Sequence, residues 1–193
     1  MRGGVEGGLE QQLIDFLHQS DCLYGPRQGV PWVRRVLTYG RIFEAAPAGL
    51  QPERGEPNQC YRNAFRASRV EGPVYCEGWA MPNLECLTSL PVLHAWLLDA
   101  EGRVLETTWE RVGLVYIGLP VGYAWHFSQA VKFRTATLCE EVNASLPKDL
   151  TRPHWLHPIV NRGRPLPPPT IDREALAKHL HSIRALSQGT QPE

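Results

Sequence analysis

The chain has 193 residues, 42% of them hydrophobic and 21% charged, which is ordinary globular composition and enough length for one sizeable core. Lysine plus arginine number 20 and aspartate plus glutamate number 20, and this neutral balance gives no support for electrostatic capture of nucleic acid or of an anionic membrane. Disordered, collagen-like and disulfide-scaffold compositions are excluded, and the longest apolar stretches, such as Val112–Val121, fall far short of the roughly 20 residues that span a bilayer.

Met1–Gly8 lacks the apolar core of a secretory signal, which sets a cytoplasmic expectation. The five cysteines (Cys22, Cys60, Cys76, Cys86 and Cys139) are odd in number and contain no CxxC pair, so a disulfide framework or a zinc ribbon is disfavoured and at least one thiol is free. Leu9, Leu13, Phe16 and Leu17 recur at helical spacing and predict a first amphipathic helix over Leu9–Gln19. Trp32, Val33, Val36 and Leu37 after Pro31 predict a second helix or an extended arm. From Ala45 to Asn58 the chain is rich in Pro, Gly and Glu and reads as an exposed loop.

That loop ends at Pro57-Asn58-Gln59-Cys60, and Tyr61–Ser68 follows with good helix formers, Asn58 being the expected N-cap. Cys60 then falls in the first helical turn, where unpaired backbone N–H groups and the positive end of the dipole favour a thiolate. Val74–Met81, Leu93–Asp99, Arg103–Trp109 and Leu114–Leu119 read as strands of a largely antiparallel sheet. Ala100-Glu101-Gly102 predicts a hairpin turn with Gly102 left-handed, and pairing Asp99 with Arg103 places Trp96 opposite Glu106 and His94 opposite Thr108. Tyr123–Phe133 reads as a further helix. Beyond Pro147 the prolines, ending in Pro167-Pro168-Pro169, predict a stiff connector, followed by a last helix from Asp172 to about Leu186 with Leu176, Leu180 and Ile183 on one face. The expected division is a domain over residues 1–150 and a Pro-rich arm with a terminal helix over 151–193, the arm covering the domain or a neighbouring subunit.

Three residues carry the chemistry: Cys60 at a helix start, His94 in Leu93-His94-Ala95-Trp96, and Glu106 in Leu105-Glu106-Thr107-Thr108-Trp109. In the hairpin register His94 and Glu106 are diagonal neighbours on one face, a separation that long side chains bridge. A carboxylate holding one imidazole nitrogen fixes the tautomer and leaves the other nitrogen to face a thiol, which is the logic of a nucleophile, a base and an orienting group. Taken singly, a helical cysteine or a strand histidine is more often plain core; it is their order and context that favour chemistry. The backbone N–H of Cys60 is a natural oxyanion donor, with the Asn58 or Gln59 side-chain amide as a candidate second donor. Tyr39 and Trp79 are candidates to line a substrate groove. His154 and His157 lack acids or cysteines to complete a metal set, and Arg152, Arg162 and Arg164 beside Trp155 read as a solvated basic arm.

From Asn58 to Trp109 the sequence resembles the papain-like thiol enzymes, specifically the transglutaminase-like core. That family places a nucleophilic Cys at a helix start, then a strand His followed by a small residue and Trp, then an acid within an Asp-x-Thr pattern on the hairpin partner. Gly78 in Tyr75-Cys76-Glu77-Gly78-Trp79 looks like the small residue of the intervening strand, and Glu106 stands where Asp is usual. The resemblance implies an α+β fold whose antiparallel sheet packs on the helix bearing Cys60, with His94 as base and Glu106 as orienting acid. It implies cysteine-dependent hydrolysis or acyl transfer on an amide or peptide-like bond of a protein, peptide or small amide, through a thioester and with no metal or cofactor. The alternative is a binding protein on the same fold, and self-association through the C-terminal arm is a further expectation.

Overall fold

A computed structural model of the chain describes residues 3–24, 32–69, 71–83, 90–138, 154–176 and 178. The elements in chain order are α1 (Gly3–Tyr24), α2 (Trp32–Tyr39), β1 (Arg41–Phe43), α3 (Cys60–Ala67), β2 (Val74–Met81), β3 (Val92–Leu98), β4 (Val104–Leu105), β5 (Val115–Pro120), α4 (Tyr123–Phe133) and β6 (Arg164–Pro165). The strands form one six-stranded sheet in the order β4-β3-β2-β5-β1-β6, with neighbouring strands antiparallel throughout. The protein is therefore α+β. Among the described residues no helix is long and apolar enough to cross a membrane.

Period-two alternation gives the sheet two apolar faces. Ile42, Tyr75, Trp79, Met81, Ala95, Leu97 and Ile117 point to one face and meet Leu13, Ile14 and Leu17 of α1 and Trp32, Val33 and Val36 of α2. Phe43, Cys76, Ala80, Trp96, Leu98, Val104 and Tyr116 point to the other face, which has its own core. Curling of the sheet encloses this second face. The chain just after β1 reaches the far edge strand: Val104 N–H donates to Glu44 C=O at 2.7 Å and Ala46 N–H donates to Val104 C=O at 2.9 Å. Gly118 makes room inside the curl, since a Cβ there would lie 2.7 Å from the Trp96 indole.

The hairpin register is the one the turn dictates. Leu97 pairs with Leu105 and Leu98 with Val104, and Gly102 is left-handed at φ 82°. The second strand ends at Leu105, however, short of the expected Trp109, so Glu106 lies just beyond the ladder and His94 is not paired with Thr108. The physical reason is that Glu106 N–H donates to Gln51 Oε1 at 2.7 Å instead of to the sheet. α1 is longer than the apolar stripe alone predicts, and β1 and β6 are additional to the expected strands.

The described part of the arm lies along the body. Trp155, Leu156 and Val160 belong to the helix-side core, and the Trp155 ring stacks on Trp32 at 5.9 Å and on Trp125 at 5.3 Å. Pro158–Arg162 forms a 3-10 turn, β6 pairs with β1 at the sheet edge, and Arg164 and Thr170 bind Glu10 and Asp15 of α1. An edge position tolerates Pro165, which has no N–H to contribute to a ladder. Arg173 reaches Asp21 at 2.8 Å, and helix is present at 173–176 and 178; Leu180 and Ile183 lie outside the described residues. Replacing Trp155 with Ala removes a ring that fills the gap between two other indoles, so Trp155→Ala is expected to lower unfolding stability by about 3 kcal/mol or more in urea titration. A loss under about 1 kcal/mol would mean that the arm contributes little to the core.

Candidate active site

α3 begins at Cys60, with Gln59 as its N-cap residue and no side-chain cap bond. The expected cap, Asn58, instead adopts a left-handed backbone at φ 60° and makes the turn into the helix. Asparagine suits both tasks, and here it serves the turn in which Gln59 N–H donates to Glu56 C=O at 3.3 Å. Ala64, four residues after Cys60, is fully buried, and α3 packs on β2 and β3. β4 covers β3 only at Leu97 and Leu98, so at His94 the start of α3 takes the neighbouring position.

His94 is 1% exposed and Glu106 is 1% exposed, while Cys60 is partly accessible. The His94 Nε2–H donates to Glu106, 3.0 Å from Oε2 and 3.2 Å from Oε1. The imidazole is also hydrogen-bonded to the Cys60 thiol, which leaves Nδ1 as the nitrogen on that side. Glu106 accepts three further bonds, from the Tyr116 hydroxyl at 2.8 Å, Thr108 N–H at 2.9 Å and Trp109 N–H at 3.1 Å. The indole of Trp109 lies flat against the His94 ring, with centroids 3.7 Å apart and planes 8° from parallel. Imidazole rotation is thus restricted by an aromatic face and a carboxylate at once.

Burial presses the His94 imidazole toward its neutral form, but the bonds to Cys60 and Glu106 and the nearby carboxylate charge outweigh it and raise its pKa above the ordinary 6.5. Burial likewise presses Glu106 toward the protonated acid, yet the bonds from His94, Tyr116 and Thr108 hold its pKa below the ordinary 4.5. Tyr116 is raised by burial and by the Glu106 charge, so it remains a donor. These shifts keep Glu106 ionised beside an imidazole able to take a proton.

Of the other expected site residues, Asn58 and Gln59 are exposed beside Cys60, on the wall of a cavity of about 380 Å³. Of the two candidates for a groove, Trp79 is 9% exposed within the helix-side core and the partly buried Tyr39 packs against that core. Trp79 alternates with Gly78, which pairs with His94, so it projects from the opposite face of the sheet. His157 caps the 3-10 turn by accepting from Ile159 N–H at 3.2 Å, and His154 is exposed. Cys76 is buried, its thiol pushed up by burial and by the Glu77 charge, while Cys86 and Cys139 lie outside the described residues.

The sequence reading did not single out Trp109, Tyr116, Asn63 or Gln51 as parts of this site. Asn63, three residues after Cys60, donates from Nδ2 to Thr108 Oγ1 at 2.9 Å and to Glu56 C=O at 2.8 Å, which ties α3 to the loop bearing Glu106. Its signal was a polar residue on the buried side of a helix. None of the family models, curated proteins or solved structures compared with this chain matches it.

The linked pair sets a pH dependence. Glu106 is depressed, so the unfolded chain takes up the extra proton as pH falls below about 4.5 and the stability from this group is lost on acidification. His94 is raised, so its contribution is complete below 6.5 and is lost as pH rises through its folded value. Urea midpoints measured across pH should therefore decline on both sides of that interval, and Glu106→Gln should flatten the acid limb. Identical acid limbs in the two proteins would show that Glu106 is not held as an anion.

Proposed function

We propose that the chain is a transglutaminase-like thiol enzyme that cleaves or transfers an acyl group at an amide or peptide-like bond. The observation that carries this reading is a single buried imidazole bonded on one side to a partly accessible thiol and on the other to a carboxylate that four donors keep ionised. Nothing in a core requires an acid, a base and a thiol in that order, and a carboxylate buried as an anion is costly unless its donors are supplied.

In the proposed reaction His94 takes the Cys60 thiol proton as sulfur attacks the amide carbonyl carbon. The carbonyl π pair moves to oxygen, and the backbone N–H of Cys60, at the first position of α3 where the helix leaves it unused, faces the developing charge. Collapse of this intermediate breaks the C–N bond, and His94 returns the proton to the departing amine. The thioester is then resolved by water, giving an acid, or by a second amine, giving a new amide, with His94 again accepting the proton. Glu106 holds the imidazole and stabilises its charged form throughout. Free thiols at Cys22, Cys60 and Cys76 support a reducing, cytoplasmic setting.

A cysteine-selective alkylator at mildly acidic pH should label Cys60 first and Cys76 last, and a panel of amide and peptide substrates should show turnover that Cys60→Ala abolishes. Glu106→Gln should reduce that turnover by about 100-fold or more while the fold persists, because the amide keeps the volume but stabilises an imidazolium less well. Slow, uniform labelling of all cysteines would overturn the enzyme reading in favour of a binding protein on this fold.

A further inference from the structure

The cavity beside Cys60 has a distinctive lining. Its wall is formed by Asn58, Gln59, Tyr61 and Arg62 from the start of α3 and by the chain 134–137 after α4. Both chain neighbours of Cys60 therefore bound it. Its volume of about 380 Å³ is suited to a small group rather than a whole chain. Among the described residues, no acidic side chain lines it, and neither Arg62 nor Arg134 has an ion pair. On a protein of zero net charge, these two guanidinium groups facing one cavity are a local excess of positive charge among the described residues.

The far wall is held in place by buried polar groups that the proposed chemistry does not use. Glu77, fully buried on the helix side of β2, accepts from the Tyr75 hydroxyl at 2.6 Å, Thr137 Oγ1 at 3.0 Å and Leu138 N–H at 2.9 Å. His126, also fully buried and pushed down to about 4 by burial, donates from Nε2 to Ala136 C=O at 2.8 Å. The chain after α4 is thus pinned residue by residue, and Arg134 is presented from a left-handed turn at φ 55°. The only non-glycine residues with left-handed backbone among those described, Asn58 and Arg134, line this cavity from its two walls.

We propose that this cavity is the substrate-recognition subsite and that Arg62 and Arg134 bind a carboxylate carried by the amide substrate close to the scissile bond. The proposal rests on the thiol-enzyme reading for its reaction but not for its ligand. Guanidinium forks fit carboxylate and phosphate alike, so the experiment separates the two.

Cys60 alkylation rates are compared for iodoacetate and iodoacetamide, reagents of similar size that differ by a negative charge, in the full chain. In Arg62→Gln/Arg134→Gln the iodoacetate-to-iodoacetamide ratio should fall by about fivefold or more, and the fall should shrink in high salt. The iodoacetamide rate should stay within about twofold of the unsubstituted protein, which shows that Cys60 and His94 remain in place. Arg66→Gln, which removes a charge from the same helix but lines a different cavity, should leave the ratio nearly unchanged. Calorimetric titration with glutarate should give binding that the double substitution abolishes. An unchanged ratio, an equal effect of Arg66→Gln, or binding of inorganic phosphate without glutarate would overturn the proposal. If Cys60 shows no selective alkylation but glutarate still binds through Arg62 and Arg134, the thiol-enzyme reading fails and the carboxylate site stands.

Discussion

The ionised carboxylate of Glu106, 1% exposed, is the constraint around which the site is arranged. Moving such a charge out of water costs several kcal/mol even after relaxation, and only a full set of donors offsets it. Those donors come from separate parts of the chain: the imidazole of β3, the hydroxyl of Tyr116 on β5, and two backbone N–H groups of the turn that follows β4. The carboxylate therefore fixes the loop and the imidazole together, and the position of His94 Nδ1 toward Cys60 follows from that.

The departure from the sheet at Leu105 belongs to the same account. Had the strand continued to Trp109, Thr108 and Trp109 would have spent their N–H groups on ladder bonds or pointed them elsewhere. By ending the ladder, the chain turns both N–H groups onto the carboxylate and lays the Trp109 ring on the imidazole. It also leaves the edge of β3 beside His94 to α3. A longer acid suits this geometry: with the backbone of residue 106 bonded to Gln51, the extra methylene of glutamate carries the carboxylate to the ring, the turn and Tyr116 at once.

Much of this was legible because it depends on neighbours in sequence. The turn Ala100-Glu101-Gly102 sets the hairpin register, and that register brings the end of β4, with Glu106 just past it, toward the His94 side of β3. The limits of β2 and α4 follow from turn residues that flank strong local patterns. β1 and β6 were not legible, since three and two residues carry no period and gain their pairing from distant chain. Asn58 was ambiguous because one residue type serves a cap and a left-handed turn, and only the path of the preceding loop decides between them. Tyr39 and Trp79 are as apolar as groove residues would be, and their place in the core depends on which face of the sheet the helices cover.

Two buried carboxylates, Glu77 and Glu106, project from opposite faces of the sheet and do comparable work on different loops. Glu106 collects the turn that carries the imidazole's support, and Glu77 collects Leu138 and Thr137, the latter in the wall of the cavity beside Cys60. A carboxylate inside an otherwise apolar strand, as in Val-Tyr-Cys-Glu-Gly-Trp-Ala-Met, is a sequence signal that such a loop is being held. Because hydrogen bonds to a buried charge are expensive to leave unmade, each loop has few alternative arrangements. Two loops fixed this way leave the polar groups near the partly accessible Cys60 thiol with few alternative arrangements, and that is the preorganisation the proposed chemistry would require.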